Sequence, residues 1–299
     1  MNVGVFCNPN SWYLRDLQRA AQRDFRVDQL PFTRLQARVG ESGGEIWCDG
    51  KSLVDFDVII TRTMPPGSLE QVVFRMDALA ELASRGVVMI NSPRAVEMSV
   101  DKYLATARIR AAGLSVPETI VCQDWETALD AYHRLGGDVV VKPLFGGEGR
   151  GITRVDDEAI AERVFKTLTQ LQAAVYLQPF VDHDGEDWRI LRVGEQLHGI
   201  RRRNELDWRT NVSRGAKAAR LEVTSELADL AFAASDAVGA EFAGVDILPA
   251  QDGRLLVLEV NASPGWKALV AALDVDIARD LLLWSAEKRQ VAAADPRGG

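Results

Sequence analysis

The chain has 299 residues, 47% of them hydrophobic and 26% charged, a balance that excludes a disordered chain and leaves room for two or three globular lobes. Its formal net charge of −8 gives no long-range attraction to nucleic acid or to an anionic membrane, so neither is expected as a partner. Three widely spaced cysteines, Cys7, Cys48 and Cys122, form no CxxC pair and no zinc spacing, and are expected as reduced thiols of a cytoplasmic protein. The N-terminal run lacks the basic start and long apolar core of a signal peptide, and no apolar run is long enough to span a bilayer.

In chain order, Val3 to Cys7 is a short apolar strand that ends at the turn residues Asn8-Pro9-Asn10. Trp12 to Arg23 has helical periodicity, Phe25 to Leu30 alternates like a strand, and Asp57 to Thr61 reads as a buried strand. A helix over Leu69 to Ser84 and a strand over Val87 to Ile90 complete a parallel α/β lobe, placed at residues 1–93. A helical stretch, Pro93 to Ala112, carries Asp101 and Lys102. A small mixed lobe follows: strand Thr119 to Cys122, helix Trp125 to Leu135, strand Val139 to Lys142, a glycine-rich loop, strand Ile152 to Val155, helix Asp157 to Ala173 and an extended Val175 to Pro179. The central lobe is placed at 94–178. The C-terminal lobe, 179–290, contains strands Trp188 to Val193 and Gln196 to Arg202, a basic loop, helix Ser225 to Val238, the strands Gly244 to Leu248 and Leu255 to Val260, and a last helix over 276–289. Residues 291–299 read as a flexible tail.

Three constellations carry chemistry. Glu259 and Asn261 are two apart on one strand and share a face, and Asp246 can come alongside them across the hairpin. Such a set of hard oxygen donors suits magnesium, including two ions bridged by a carboxylate, with manganese as an alternative. A carboxylate set between Leu258 and Val260 needs a partner or a metal, which argues against a merely solvated strand end. Second, Lys142 closes an apolar strand and is followed by Gly146, Gly147, Gly149 and Gly151. A lysine at a strand end and a permissive backbone can both meet phosphates. The loop by itself is equally a glycine-rich hairpin turn, and it is not a Walker loop because no GK[ST] closes it. Third, Arg201, Arg202, Arg203, Arg209 and Arg214 crowd around Asn211 in an acidic chain, which points to an anion site that Arg189 would join if the strands align. No GxSxG or HExxH occurs, and the loose GxGxxG of Gly146 to Gly151 lies between strands, without the helix that a dinucleotide site requires.

Ala243 to Gly265, with its EVNASPG segment, closely resembles the metal-binding hairpin of RimK-like ATP-grasp ligases. Further matches run in order through Asn91-Ser92-Pro93, Asp101-Lys102, Val140 to Gly151, Asp187-Trp188-Arg189 and Arg209 to Gly215. The resemblance covers residues 1 to about 288. It implies an α/β, ATP-grasp fold of three lobes, with the nucleotide held between the central and C-terminal lobes. It further implies that Lys102 and Lys142 hold the phosphates, together with the glycine loop. Gln178 to Val181, with Phe180, would lie against the adenine, and Asp187 would contact the ribose. Asp246, Glu259 and Asn261 would bind magnesium, and Arg189, Arg203, Asn211 and Arg214 would face the reacting carboxylate. Relatives often carry glutamate after the linker glutamine, but here Pro179 follows Gln178, so no adenine contact forms through that amide.

The activity implied is ATP-dependent amide formation through an acylphosphate, with L-glutamate added to an acceptor carboxylate: a protein C-terminus or a pterin-type cofactor such as tetrahydromethanopterin. Two alternatives stand beside it. One is an ATP-grasp ligase using another amino acid, of the lysine-biosynthesis or D-alanine-ligase type. The other is a nucleotide-binding regulatory protein without the chemistry, against which the complete Asp246, Glu259, Asn261 set argues. A homo-oligomer is a further expectation from the resemblance. Arg62, Arg75 and the region of Trp12 are candidates to line the acceptor pocket.

Overall fold

The computed structural model describes residues 1–41, 43–146, 149–210 and 215–294. The first stretch forms β1 (Asn2–Phe6), α1 (Trp12–Ala21), β2 (Arg26–Leu30), β3 (Leu35–Gly40), β4 (Gly43–Cys48), β5 (Lys51–Ser52), β6 (Val58–Thr61), α2 (Leu69–Ser84) and β7 (Val88–Ile90). The order β2-β1-β6-β7 makes a fully parallel sheet. Its inner strands are continuous apolar runs because both faces are covered. Helix α2 starts at a capping box, in which Ser68 and Gln71 satisfy each other's backbone amides. The antiparallel meander β3-β4-β5 was not anticipated. It packs Leu35, Ile46 and Cys48 on one face of the parallel sheet, with Phe6, Ile59 and Leu79.

The helical stretch after β7 is two helices, α3 (Pro93–Val100) and α4 (Lys102–Ala111). The break falls at Asp101, whose carboxylate accepts from the Leu104 amide and so caps the second helix. Next come β8 (Ile120–Cys122), α5 (Trp125–Arg134), β9 (Val139–Lys142), β10 (Thr153–Val155), α6 (Glu158–Gln170) and β11 (Val175–Pro179). These strands form an antiparallel sheet in the order β10-β9-β11-β8, with a core of its own built on Ala128, Tyr132, Val139, Val141, Phe165 and Leu177. The packing of α3 and α4 departs from the boundary expected at residue 94. Ala95, Ala105 and Ile109 pack with Val245, Ile247, Val257 and Val260 of the last sheet, not with the central one.

That last sheet has the order β14-β13-β12-β15-β16, all antiparallel, from β12 (Glu186–Val193), β13 (Gln196–Arg203), β14 (Lys217–Leu221), β15 (Phe242–Pro249) and β16 (Leu255–Asn261). Helix α7 (Ser225–Ala237) covers one face. The other face meets α8 (Lys267–Leu273) and α9 (Ile277–Ala294). Strand β14 and helix α8 were not anticipated, and α9 runs past the expected end at residue 289, so Ala292–Ala294 are helical, not tail. One continuous core joins this sheet to the parallel sheet: Val3, Val5, Leu17, Val58 and Ile60 share it with Leu191, Phe242, Trp266 and Leu281. Asn91 at the end of β7 fastens the joint. Its amide donates to the Phe242 and Ala262 carbonyls, each at 2.7 Å, and its oxygen accepts from the Phe242 amide at 3.0 Å. All three cysteines are buried and unpaired. Among the described residues, no helix is long and apolar enough to cross a membrane.

Candidate functional site

The hairpin β15–β16 sets the geometry. Asp246 lies directly across from Glu259, and Asn261 is two residues further along β16 on the same side. A bulge after Asp246 shifts the register, so that Ile247 pairs with Val257 and one extra residue stands on β16. Asp246 is buried and accepts two hydrogen bonds from Arg189, both at 2.7 Å, with Arg202 at 3.1 Å. Arg202 in turn forms a two-pronged pair with Asp187, at 2.7 and 2.5 Å. Two carboxylates and two guanidiniums thus balance each other beneath the sheet surface. The Asp246 carboxyl, held by two arginines, is drawn below its ordinary range, whereas burial outweighs the single arginine on Asp187 and pushes that carboxyl up.

A cleft opens between the central and C-terminal sheets. Lys142 from β9, Gln178 and Pro179 from β11, then Phe180 and Val181, form one wall, and Asp187, Asp246, Leu248, Leu258 and Glu259 form the other. Gly149 and the loop residues Trp208, Arg209 and Thr210 close it. Val140, Ile152, Val181, Leu248 and Leu258 make part of this lining apolar, suited to a flat ring, while Lys142 and Glu259 supply charge. Phe180 is held from behind by Arg154, whose guanidinium lies 3.5 Å from the ring centre, and edge-on by Trp208. Lys142 donates to the Gln178 side-chain oxygen at 2.7 Å, and burial pushes its ammonium down to about 8.

A second cavity lies on the other side of Glu259, lined by Lys102, Gly146 and Asn261 and by residues from the N-terminal strands. Lys102, the first residue of α4, donates to the Gly146 carbonyl at 2.6 Å, and burial lowers its ammonium too. Asn261 accepts from the Ser263 amide at 2.9 Å. No side chain among the described residues donates a hydrogen bond to the Glu259 carboxylate, which borders both cavities.

The structure therefore brings together Lys102, Lys142, Gly146, Gly149, Phe180, Val181, Asp187, Arg189, Asp246, Glu259 and Asn261 around two joined cavities. Gly151 adopts a left-handed conformation with its Cα against the Pro143 ring, in the return of the loop. Gly147, Asn211 and Arg214 lie outside the described residues. Three of the expected residues stand among other neighbours. Arg203 is exposed and borders a separate cavity with Glu186 and Lys217, because it alternates with Arg202 along β13. The residue facing Asp246 is Arg202, which shares its face with buried Ile200; that parity was the available signal. Gln178 lines the cleft and its side chain bonds Lys142, Thr119 and Tyr176, so that it positions the lysine. Asp187 borders the cleft and pairs with Arg202 through both oxygens. The Phe180 amide, next after Pro179, donates to the Asp138 carbonyl.

A family model described as "RimK-like ATP-grasp domain" matches residues 99–284. The chain belongs to the RimK-like ATP-grasp family. This RimK-like chain is 32% identical to the tetrahydromethanopterin:alpha-L-glutamate ligase of Methanosarcina acetivorans over 320 aligned positions, covering 94% of this chain and 97% of that protein. It is 28% identical to a probable alpha-L-glutamate ligase of Aliivibrio fischeri, with 93% of each chain covered. Among solved structures, the ATP-grasp ligase PsnB complexed with minimal precursor, Mg and ADP superposes with a TM-score of 0.74 at 21% identity, over 96% of this chain and 97% of that one. The RimK-like chain thus has the ATP-grasp fold and is an ATP-dependent ligase.

Proposed function

We propose that this ligase joins the amino group of L-glutamate to an acceptor carboxylate, with ATP as the activating substrate. The observation that carries this reading is that Glu259 borders two cavities, one holding Lys142 and an apolar lining for a base, the other holding Lys102 and opening toward the N-terminal sheet. The glutamate ligases named above, similar over nearly the whole chain, favour glutamate as the incoming amine.

Lys142 and Lys102 are assigned to the phosphates, and Phe180, Val181, Leu248 and Leu258 to the adenine. Asp246, Glu259 and Asn261 are assigned to magnesium. The fit rests on the donor set, two carboxylates and an amide oxygen with no thiolate or imidazole, and on Glu259, whose oxygens have no donor of their own among the described residues. Asp246 can serve while held by arginine, because its Oδ1 accepts only from the Arg189 Nε and keeps a second lone pair. Magnesium bound there, as one ion or two, would offset the charge of the transferring phosphoryl group.

The chain's own residues account for the rest. The two half-buried ammonium groups draw the triphosphate into the cleft, and being partly desolvated they interact with it more strongly than lysines in open water. Arg189, together with Asn211 and Arg214, is assigned to the acceptor carboxylate. One oxygen of that carboxylate attacks the γ-phosphorus, the bond to ADP breaks, and an acylphosphate results. The amine then attacks the acyl carbon, the carbon–oxygen bond to phosphate breaks, and the proton lost by the amine leaves with phosphate or a neighbouring carboxylate. The acceptor is proposed as a pterin-type cofactor such as tetrahydromethanopterin, or a protein C-terminus.

The test is release of ADP with Mg-ATP and glutamate across a panel of glutamate-ended peptides, pterin-type cofactors and free amino acids, followed by mass spectrometry of the acceptor. Acceptor-dependent release with a gain of one glutamyl residue is expected. Release that is indifferent to glutamate but supported by another amino acid would overturn the glutamate assignment.

A further inference from the structure

The second cavity, of about 280 Å³, is bordered by a residue with no place in the nucleotide chemistry. Arg62 directly follows β6 and is 5% exposed. Its guanidinium sits among the rings of Tyr13, Trp266 and Phe242, at 4.7, 4.6 and 5.6 Å from their centres. Its Nε and Nη1 have no hydrogen-bond partner, and no carboxylate among the described residues pairs with it. Two hydroxyls bordering the same cavity, Thr61 Oγ1 and Ser99 Oγ, are also buried without a partner. Burial pushes the guanidinium down to about 10, which leaves it charged at neutral pH.

A buried cation facing only aromatic rings is incompletely compensated, since ring faces attract it but accept no in-plane hydrogen bonds. A bound anion would complete it, and a guanidinium fork with two hydroxyls suits a carboxylate. We propose that Arg62, with Thr61 and Ser99, forms the subsite for a carboxylate that the incoming amino acid keeps through the reaction. This rests on the ligase reading. In that reaction the acceptor's carboxylate is consumed beside the phosphates, whereas the amino acid retains its own and needs a fixed cation at a distance from them. The cavity also borders Lys102 and Glu259, so an amino acid anchored at Arg62 has its amine free to face the reacting centre.

The test is calorimetric titration of the full-length protein, saturated with Mg-ADP, with L-glutamate and with analogues that lack either the α-carboxylate (4-aminobutyrate) or the side-chain carboxylate (2-aminobutyrate). Arg62→Gln should weaken glutamate about 10- to 100-fold and leave Mg-ADP affinity unchanged, as loss of a charge-assisted pair requires. One of the two analogues should bind wild type and variant alike, which identifies the carboxylate concerned. The double variant Thr61→Val/Ser99→Ala keeps the charge and the aromatic packing; it should weaken glutamate about threefold to tenfold, and it carries the test if Arg62→Gln does not fold. Glutamate affinity within twofold of wild type in the folded variants would overturn the subsite and leave the ligase assignment standing. If wild type takes up a different amino acid in an Arg62-dependent way, the subsite holds and the glutamate reading falls.

Discussion

Replacing Arg202 by methionine tests the buried charge cluster directly. Arg202 and Asp187 are 4% and 5% exposed at their side chains, and Asp246, at 7%, keeps Arg189 as a partner when Arg202 is removed. Asp187 then keeps no cation among the described residues. Removing one member of a buried pair leaves an uncompensated charge, which costs about 3–5 kcal/mol. At about 2 °C per kcal/mol for a chain of this size, the melting temperature should fall by about 6–10 °C. The deficit should depend on pH with a defined sign. Burial already raises the Asp187 carboxyl against the pull of Arg202, and without that pull it rises further. A carboxyl whose folded value lies above its unfolded one favours the folded state at low pH and loses that contribution as pH rises through the folded value. The variant should therefore be closer to wild type near about pH 5 than near about pH 8. Adding Asp187→Asn should restore part of the loss, because a neutral amide replaces the stranded carboxylate. Thermal melts of the three proteins across that range decide the matter. A single variant that melts within about 2 °C of wild type at the higher pH would show that the cluster is not the buried, mutually compensated unit described here.

Three further outcomes are expected. Glu259→Ala should keep the wild-type circular dichroism spectrum and lose at least about 100-fold in nucleotide turnover; near-normal ADP release would remove it from the metal set. Nucleotide affinity should fall as pH rises through about 8, by at most about tenfold per unit, because the triphosphate binds the charged form of Lys142; Lys142→Met should bind more weakly throughout, with a flatter profile in fluorescent-nucleotide titrations. Asn91→Ala should cost about 2–4 kcal/mol in denaturant melts, since it strands one amide and two carbonyls at the joint between the parallel and last sheets, and unchanged stability would mean those groups find other partners.

The metal hairpin was legible because it depends on the shortest-range rule in the chain. Glu259 and Asn261 share a face by strand parity alone, and a tight turn at Asp252-Gly253 brings Asp246 opposite. The bulge after Asp246 was not legible, since nothing local to Ile247 marks the extra residue on its partner. Parity also explains the error at Arg203: three consecutive arginines carry no apolar marker of their own, and only Ile200, two residues before Arg202, reveals which one turns inward. The meander β3–β4–β5 escaped because its strands are largely exposed, Val39 at 94%, and show little of the alternation that reports a half-buried strand. Arg62 itself was a pocket candidate from the sequence, but the make-up of its cavity lay beyond reach for another reason. Thr61, Ser99 and Asn261 are brought together by the tertiary joint, and no spacing in the chain encodes their meeting.

The core shared by the first and last parts of the chain has a consequence for how the protein is made. Val58 and Ile60 leave the ribosome about 200 residues before Leu281, against which that core closes. At ordinary elongation rates this is a wait of roughly 10–40 s, during which only α1, through Leu14, Leu17 and Ala20, covers that face of the nascent parallel sheet. The central sheet, whose core draws only on residues between Cys122 and Leu177, can finish first. Synthesis therefore produces the middle of the molecule before either end, and the early strands are the segment most in need of a chaperone.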